Sequence, residues 1–192
     1  MKKCAFVILI PLFYITIITV EQSDAQDGFF TDTRSLLAQN VSLGIQPTLL
    51  TADDNEFMLG LRGSYAFDDD FVGHLKLGLL SDDIFIGAHF HYRLVTEQRF
   101  AASGLFGAQN WGDVGLKGGV NFSYDLNPFS IYGGLLYQPY FSDPAIHPVL
   151  IPLGVAIPLA GQANFLFEAN IGINDDARPL EKLSLGLVFY LQ

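Results

Sequence analysis

Three of the four histidines lie in one stretch, "GHLKLGLLSDDIFIGAHFHYR" (73–93). His74, His89 and His91 are candidate zinc ligands, because residues two apart on a strand share a face. Closing a hairpin at the two aspartates of this stretch pairs Lys76 with His89 and His74 with His91. An ammonium directly across from His89 disfavours a bound cation. We therefore predict no metal site and no cofactor.

Catalysis by a serine hydrolase needs a nucleophile, a base and an orienting group within hydrogen-bond reach. Candidate parts are Ser81 with Asp82, and Ser142, Asp143 and His147 in "SDPAIHP". Neither set lies in a motif typical of barrel enzymes that modify lipids or cleave peptides, and His147 precedes a proline, as a turn residue does. We predict no catalytic residues and no enzymatic activity.

The elements that carry these residues are predicted β-strands. In "EFMLGLRGSYAF", Phe57, Leu59 and Leu61 point one way, and Met58 and Arg62 point the other. This alternation with period two recurs in segments 41–49, 56–67, 71–80, 84–94, 100–108, 114–124, 129–137, 149–159, 163–173 and 183–191. The short turns between them require antiparallel neighbours. We predict an all-β, up-and-down barrel of about ten strands, with eight as the alternative.

Residues 1–25 have the three parts of a signal peptide. Lys2 and Lys3 precede an uncharged apolar run over 5–20, and cleavage is expected before Gln26. Cys4 lies before that run, so the exported chain contains no cysteine and no disulfide. Residues 26–40 lack clear alternation and are assigned to an N-terminal tail, and 41–192 to the barrel domain. The net charge of −10 argues against nucleic acid as a partner.

Alternation alone leaves two orientations open, because a soluble lipid-binding barrel turns its apolar face inward and a membrane barrel turns it outward. The polar face is rich in small residues, which suit a crowded interior. Acidic residues avoid the strands, except for Glu168 and Asp125. Aromatic residues collect near the strand ends on the side of the N-terminus, and a thinner set that includes Trp111 lies near the opposite rim. These observations favour lipid outside.

With these features the chain resembles small bacterial outer-membrane β-barrels over nearly all of its exported length. The last strand, "KLSLGLVFYLQ", looks like the C-terminal assembly signal of that class, although it ends in Leu191 and Gln192 instead of an aromatic residue. The resemblance implies a monomer in the bacterial outer membrane, with outer-membrane lipids, lipopolysaccharide and the outer-membrane assembly machinery as its partners.

The inward-facing set is predicted to form a polar network in a net cationic lumen. Its members are Arg62, His74, Lys76, His89, His91, Arg93, Lys117, Asn121 and Glu168. Glu168 is the expected salt-bridge partner, since buried charge without a partner is costly. The predicted function is a largely plugged barrel that serves a structural role or forms a narrow, anion-favouring passage.

Prolines interrupt the wall of the predicted barrel. Pro139 ends one strand, and Pro152 and Pro158 lie in the next. Because proline cannot donate to a strand ladder, Pro152 should weaken pairing on one side. An alternative function is therefore a lateral gap through which the barrel handles lipid, and the simpler interpretation is a local bend.

Overall fold

The computed structural model describes residues 41–51, 56–80, 84–159 and 162–191, and these form a closed antiparallel barrel. The strands are β1 (Val41–Leu50), β2 (Phe57–Ala66), β3 (Phe71–Leu79), β4 (Ile84–Thr96), β5 (Phe100–Trp111), β6 (Asp113–Asp125), β7 (Ser130–Tyr137), β8 (Val149–Leu159), β9 (Ala163–Gly172) and β10 (Lys182–Leu191). Each strand pairs with its neighbours in sequence, and β1 closes the ring against β10. The predicted signal peptide (1–25) and tail (26–40) lie outside the described residues.

The ten-stranded prediction is confirmed, and the alternative of eight strands is wrong. The observed strand ends lie close to the predicted ones, because turn residues begin near the positions where the alternation stops. The hairpin of β5 and β6 is tighter than predicted, since Trp111 pairs with Asp113 around Gly112. The φ of Gly112 is 70°, a conformation that glycine adopts without a steric penalty.

The sequence did not predict the short 3-10 helix Asp175–Leu180, which follows β9. In the described part of the chain, no helix is long and apolar enough to cross a membrane. We call the end of the barrel that holds Val41 and Leu191 the terminal rim, and the opposite end, which holds this helix, the loop rim.

The hairpin of β3 and β4 has a different register from the predicted one. His74 lies opposite His89, and Lys76 lies opposite Gly87. The last pair before the turn leaves four residues in the connection, where a two-residue turn was predicted. Every side chain keeps its predicted face, because a shift of two residues preserves the alternation. The predicted pairs of Lys76 with His89 and of His74 with His91 are wrong.

The outer face of the barrel is apolar. Leu75 is 68 % exposed, whereas its neighbours His74 and Lys76 point to the interior. On the outer face the rings of Phe71 and Phe90 stack with centroids 5.2 Å apart. A soluble barrel with Leu75 inside is therefore excluded.

Trp111 lies near the loop rim, as predicted, but on the inward-facing side of β5, so it does not belong to an aromatic belt on the outer face. Its ring contacts Phe85 edge to face, with centroids 5.9 Å apart, and both residues line an interior cavity. The reason is the alternation of β5, which continues through its last residue instead of ending before it.

Apolar side chains pack against one another at each end of the interior. Near the terminal rim the cluster contains Ala66, Val72, Tyr132, Ala156, Leu166, Val188 and Tyr190. The ring of Tyr132 lies directly over Gly154, where any Cβ would overlap it. Toward the loop rim the cluster contains Leu105, Leu136, Leu150 and Ala177, with Leu180 packed against it. Leu150 and Leu180 of the second cluster also line an interior cavity that polar side chains share.

The ladder between β7 and β8 is interrupted. Pairs run as far as Gly133 with Leu153 and resume at Leu136 with Leu150. Pro152 lies in the interruption, on the side where its missing N–H prevents a ladder bond. On its other side Pro152 remains paired with Asn170 of β9. The wall is thus weakened on one side of one strand.

Candidate functional site

His74, His89 and His91 form a buried group inside the barrel, called here the histidine cluster. The ring centroid of His74 lies 4.7 Å from that of His89 and 4.6 Å from that of His91. The register explains this group, because His74 and His89 are directly paired and His91 follows two residues later on the same face. Gly107 pairs with His89 from β5, and its missing side chain leaves room for the backbone of β4 at Ala88 and His89.

Arg62 determines which nitrogen of His74 carries the proton. Its Nη2 atom lies 2.6 Å from Nδ1 of His74, and its Nε–H donates to Oγ of Ser64 at 3.0 Å. The Ser64 hydroxyl lies 2.8 Å from the same Nδ1 atom. A guanidinium only donates, so Nδ1 of His74 must accept, and the proton of the neutral ring lies on Nε2.

The nitrogens of the histidine cluster lie within 4.8 Å of one another, a spacing from which small rotations reach metal coordination. The tautomer of His74 does not fit a metal, because Nδ1 accepts from Arg62 and Nε2 carries the proton. Neither nitrogen then offers a lone pair to a cation. The predicted argument against a metal placed Lys76 opposite His89, and it fails because that register is wrong. The contact of Arg62 with His74 is the physical reason against a metal instead. The lack of a metal or cofactor stays a prediction.

A second group consists of amines. Lys76, Lys117 and Lys182 line one interior cavity of about 40 Å³, called here the lysine cavity. They come from β3, β6 and β10, which are not adjacent, and meet because a narrow barrel brings inward-facing side chains together. The other polar side chains of the lining are Gln46, His89, Gln109, Gln138 and Tyr140.

Glu168 balances part of this charge. The residue is 1 % exposed, and it interacts electrostatically with all three lysines of the cavity. Its Oε1 atom accepts a hydrogen bond from Nδ2 of Asn170 at 2.9 Å. Among the described residues that line the lysine cavity there is no carboxylate. One carboxylate therefore acts on three amines.

Sequence reasoning missed Lys182, which was assigned to the turn before the last strand. The residue is the first of β10 and pairs with Leu50 on one side and Asn170 on the other. Its inward direction follows from Ser184, which lies two residues later and is 2 % exposed. Extending the alternation by one residue finds it.

Two predicted members of the network lie apart from both groups. Arg93 lies near the terminal rim, with Nη1 3.8 Å from Oδ1 of Asp70. Asn121 is fully buried against Gly134, where a Cβ would overlap its amide oxygen. Within the described ranges, neither side-chain polar atom of Asn121 has a protein hydrogen-bond partner.

Tyr140 lies outside the strands and folds back into the interior, where it is 5 % exposed. It bridges Gly115 and Ile146 through isolated ladder contacts, and its hydroxyl accepts a hydrogen bond from Gln109. Gln109 also donates to Oε1 of Gln138 at 3.3 Å. Burial raises the pKa of Tyr140 to about 12, so the hydroxyl stays protonated at neutral pH.

The candidate hydrolase residues are not brought together. The hydroxyl of Ser142 donates to the carbonyl oxygen of Pro144 at 2.8 Å. Nδ1 of His147 lies 2.8 Å from the hydroxyl of Tyr137, so its described partner is not a serine. Ser81 and Asp82 lie outside the described residues. This arrangement does not form a nucleophile and base pair.

On the outer face an apolar groove of about 520 Å³ lies next to the interrupted ladder. Gly133 and Leu153, the last pair before the interruption, line it together with Phe122, Ile131 and Phe167. Neither Pro139 nor Pro158 lines this groove, and Pro158 is paired with Asn164 in the ladder to β9.

The fold is that of a bacterial outer-membrane barrel. The KdgM porin is similar with a TM-score of 0.55 at 9 % identity, covering 79 % of this chain and 99 % of that chain. KdgM porin in complex with disordered oligogalacturonate gives 0.51 at 10 %, covering 80 % and 99 %. An outer membrane channel from Pseudomonas putida F1 gives 0.54 at 10 %, covering 90 % and 100 %. No protein-family model and no curated protein sequence matches the chain.

Proposed function

We propose that the protein is a porin-like barrel whose cationic interior forms a narrow, anion-favouring passage, packed shut in the state described. The excess of buried positive charge carries this proposal. Lys76, Lys117 and Lys182 surround one cavity, Arg62 lies nearby, and Glu168 is the carboxylate that acts on the amines. Rings of lysine and arginine side chains favour anions in pores because they lower the electrostatic energy of an entering negative charge.

The packing supports a narrow passage. One apolar cluster lies near the terminal rim and a second toward the loop rim, and the lysine cavity, which Leu150 and Leu180 of the second cluster also line, has a volume of about 40 Å³. A cavity of this volume admits water-sized groups. Oligogalacturonate, named for one KdgM structure, is too large for it. Small inorganic ions are the solutes that fit this cavity. They pass only when side chains of the two apolar clusters move.

The apolar outer face of the barrel indicates the environment in which the protein lies. Exposed leucine, isoleucine and aromatic side chains around the barrel need lipid, so we place the protein in the outer membrane after export by its signal peptide. Its contacts there are outer-membrane lipids and lipopolysaccharide, and the assembly machinery inserts it. We expect a monomer, because every described strand finds both partners within one chain.

The test is planar-bilayer conductance of the refolded protein in a salt gradient. We expect a small current whose reversal potential shows a preference for anions, and we expect Lys76→Glu to reverse that preference. Arg99→Glu, at an exposed turn of the terminal rim, is the matched control and should change the selectivity little. A wild-type protein that inserts but never conducts would contradict the passage and leave a structural role.

The interrupted ladder favours a second candidate, a barrel that handles lipid through a lateral gap. The apolar groove reaches the wall where Gly133 and Leu153 form the last pair before Pro152. Pro152→Val, which restores an N–H donor, should then close the gap and reduce the amount of lipid that copurifies with the barrel. Equal lipid content in wild type and Pro152→Val would reject this candidate.

A further inference from the structure

We propose that residues 173–181, which contain the short 3-10 helix, form a lid that closes the loop end of the interior and detaches to admit small ions to the lysine cavity. These residues are called here the lid segment. As a regulator of the passage, the lid rests on the proposed function. Its control of access to the lysine cavity does not require that the barrel conducts.

The lid segment reaches into the interior through two apolar side chains. Ala177 is fully buried in the apolar cluster toward the loop rim, which Leu105 of β5 and Leu136 of β7 also form. Leu180 packs against this cluster and lines the lysine cavity. Lys182, another lining residue, directly follows the lid segment in the chain. The lid segment therefore forms part of the cavity wall on the side of the loop rim.

The lid segment packs directly on the end of β9. A Cβ added to Gly172 would lie 3.1 Å from the Cβ of Ala177 and 3.0 Å from Oε1 of Glu181. The N–H of Gly172 donates to the same Glu181 oxygen at 3.0 Å. Because glycine has no side chain, the lid segment can approach the wall this closely, and its closed position is well defined.

Two side chains fasten the lid segment to the chain at the start of β8. Asn174 accepts through Oδ1 from the Val149 N–H at 2.9 Å and donates through Nδ2 to the His147 carbonyl oxygen at 2.8 Å. Oδ2 of Asp176 accepts from the His147 N–H at 2.8 Å. The backbone N–H of Ile173 adds a hydrogen bond to the Val149 carbonyl oxygen at 2.9 Å. These contacts hold the lid segment closed.

This attachment is of the kind that opens locally. Ala177 is the only buried residue among residues 173–181, and both hydrogen bonds to His147 lie at exposed positions. Segments with few buried apolar contacts and solvent-exposed hydrogen bonds open at a lower free-energy cost than core strands. The lid segment can therefore detach while the strands of the barrel stay paired.

The terminal rim is closed in a different way. Its apolar cluster consists entirely of strand residues, which run from Ala66 at the end of β2 to Tyr190 of β10. Core strands lie at the high end of local stability, since ladder hydrogen bonds hold them on both sides. The loop end is thus the end that opens at the lower cost.

The test measures how fast a cysteine in the lysine cavity reacts with a small, charged methanethiosulfonate in the refolded exported chain in detergent. Residues 26–192 contain no cysteine, so Gln46→Cys supplies a single thiol in the cavity lining. Asp176→Ala removes the acceptor of the His147 N–H, and we expect labelling to become about 2–10-fold faster, the ratio that corresponds to the loss of one hydrogen bond. Adding Asn174→Ala should raise the rate at least about tenfold over the intact lid.

Two controls separate lid opening from a general loosening of the barrel. Asp175→Ala removes the same charge from the same helix, but its carboxylate pairs with Arg178 within the lid segment at 3.1 Å. This variant should leave the labelling rate unchanged. Ser42→Cys places the thiol near the terminal rim, where Ser42 is 1 % exposed. Its labelling should not respond to Asp176→Ala.

Equal labelling of Gln46→Cys with the intact lid and with both lid substitutions would overturn the proposal. An equal acceleration by Asp175→Ala, or an equal acceleration at Ser42→Cys, would overturn it as well. If Gln46→Cys does not fold, Gln138→Cys is the second reporter, because Gln138 lines the same cavity and is 7 % exposed.

The two proposals fail differently. Faster labelling in the variant with both lid substitutions, in a barrel that never conducts, would reject the passage and keep the lid. An anion-selective current, together with a labelling rate that these substitutions leave unchanged, would keep the passage and reject the lid.

Discussion

The histidine cluster and the lysine cavity occupy the same interior and carry charge of the same sign, yet they are built differently. Beside the histidine cluster the guanidinium of Arg62 donates to Ser64 and lies 2.6 Å from His74 Nδ1, and the rings of His74 and His89 stack. In the lysine cavity three amines surround about 40 Å³ of space, and Glu168 is the carboxylate that acts on them.

The difference shows that buried positive charge is accommodated in two ways. A planar guanidinium with fixed donors is satisfied by neighbouring acceptors, and this rigidifies the group. Flexible lysine side chains repel one another and leave room between them. The first arrangement suits a structural role, and the second leaves a cavity lined by cationic side chains.

The largest expected effect on the free energy of unfolding comes from removing the carboxylate of Glu168, which acts on the lysines of the lysine cavity. Glu168→Gln keeps the size of the side chain but leaves the three amines without an acidic partner, so we expect a loss of about 3–5 kcal/mol of unfolding free energy. Urea titration of the refolded protein in detergent measures this loss. Glu97→Gln removes the same charge from an exposed turn and should cost little. Equal effects would show that the charge of Glu168 does not stabilise the interior.

A smaller effect on the free energy of unfolding is expected from replacing Arg62, the cation beside the histidine cluster. Arg62→Met retains much of the apolar volume and removes the donors to Ser64 and His74. Because these bonds involve a charged donor, we expect a loss of about 1.5–3 kcal/mol of unfolding free energy. Urea titration of the refolded protein in detergent measures the loss, and Arg99→Met at an exposed turn is the matched control. Equal costs for the two variants would mean that the hydrogen bonds from Arg62 do not stabilise the interior.

The smallest effect should come from His91. Within the described ranges, neither of its ring nitrogens has a protein hydrogen-bond partner, although the residue is buried. Replacing an unsatisfied polar ring by an apolar side chain is nearly neutral, so His91→Leu should change the unfolding free energy by about 1 kcal/mol or less. His74→Leu is the matched control, because it removes the acceptor of Arg62 and should cost clearly more. Equal costs for both variants, measured by urea unfolding, would contradict this view of the cluster.

Most of the barrel could be predicted from the sequence because strand alternation is a local property. The face of each residue depends only on whether it lies an odd or an even number of positions from a reference residue on the same strand. Thus Arg62, Lys76 and Glu168 were assigned to the interior without knowledge of any pairing. Trp111 and Lys182 were left out of the inward set because each lies at a strand end, where the predicted strand stopped short of the observed one.

The sequence by itself determined the class of fold, a count of about ten strands and the direction of most inward residues, since these follow from a period of two and from short turns. Only the tertiary structure decided which inward residues meet. The four-residue connection between β3 and β4 places His74 opposite His89 instead of His91. Ring closure brings Lys182 of β10 to Lys76 and Lys117. Neighbours across strands depend on register and on barrel closure, which are global properties, whereas the direction of a side chain is a local one.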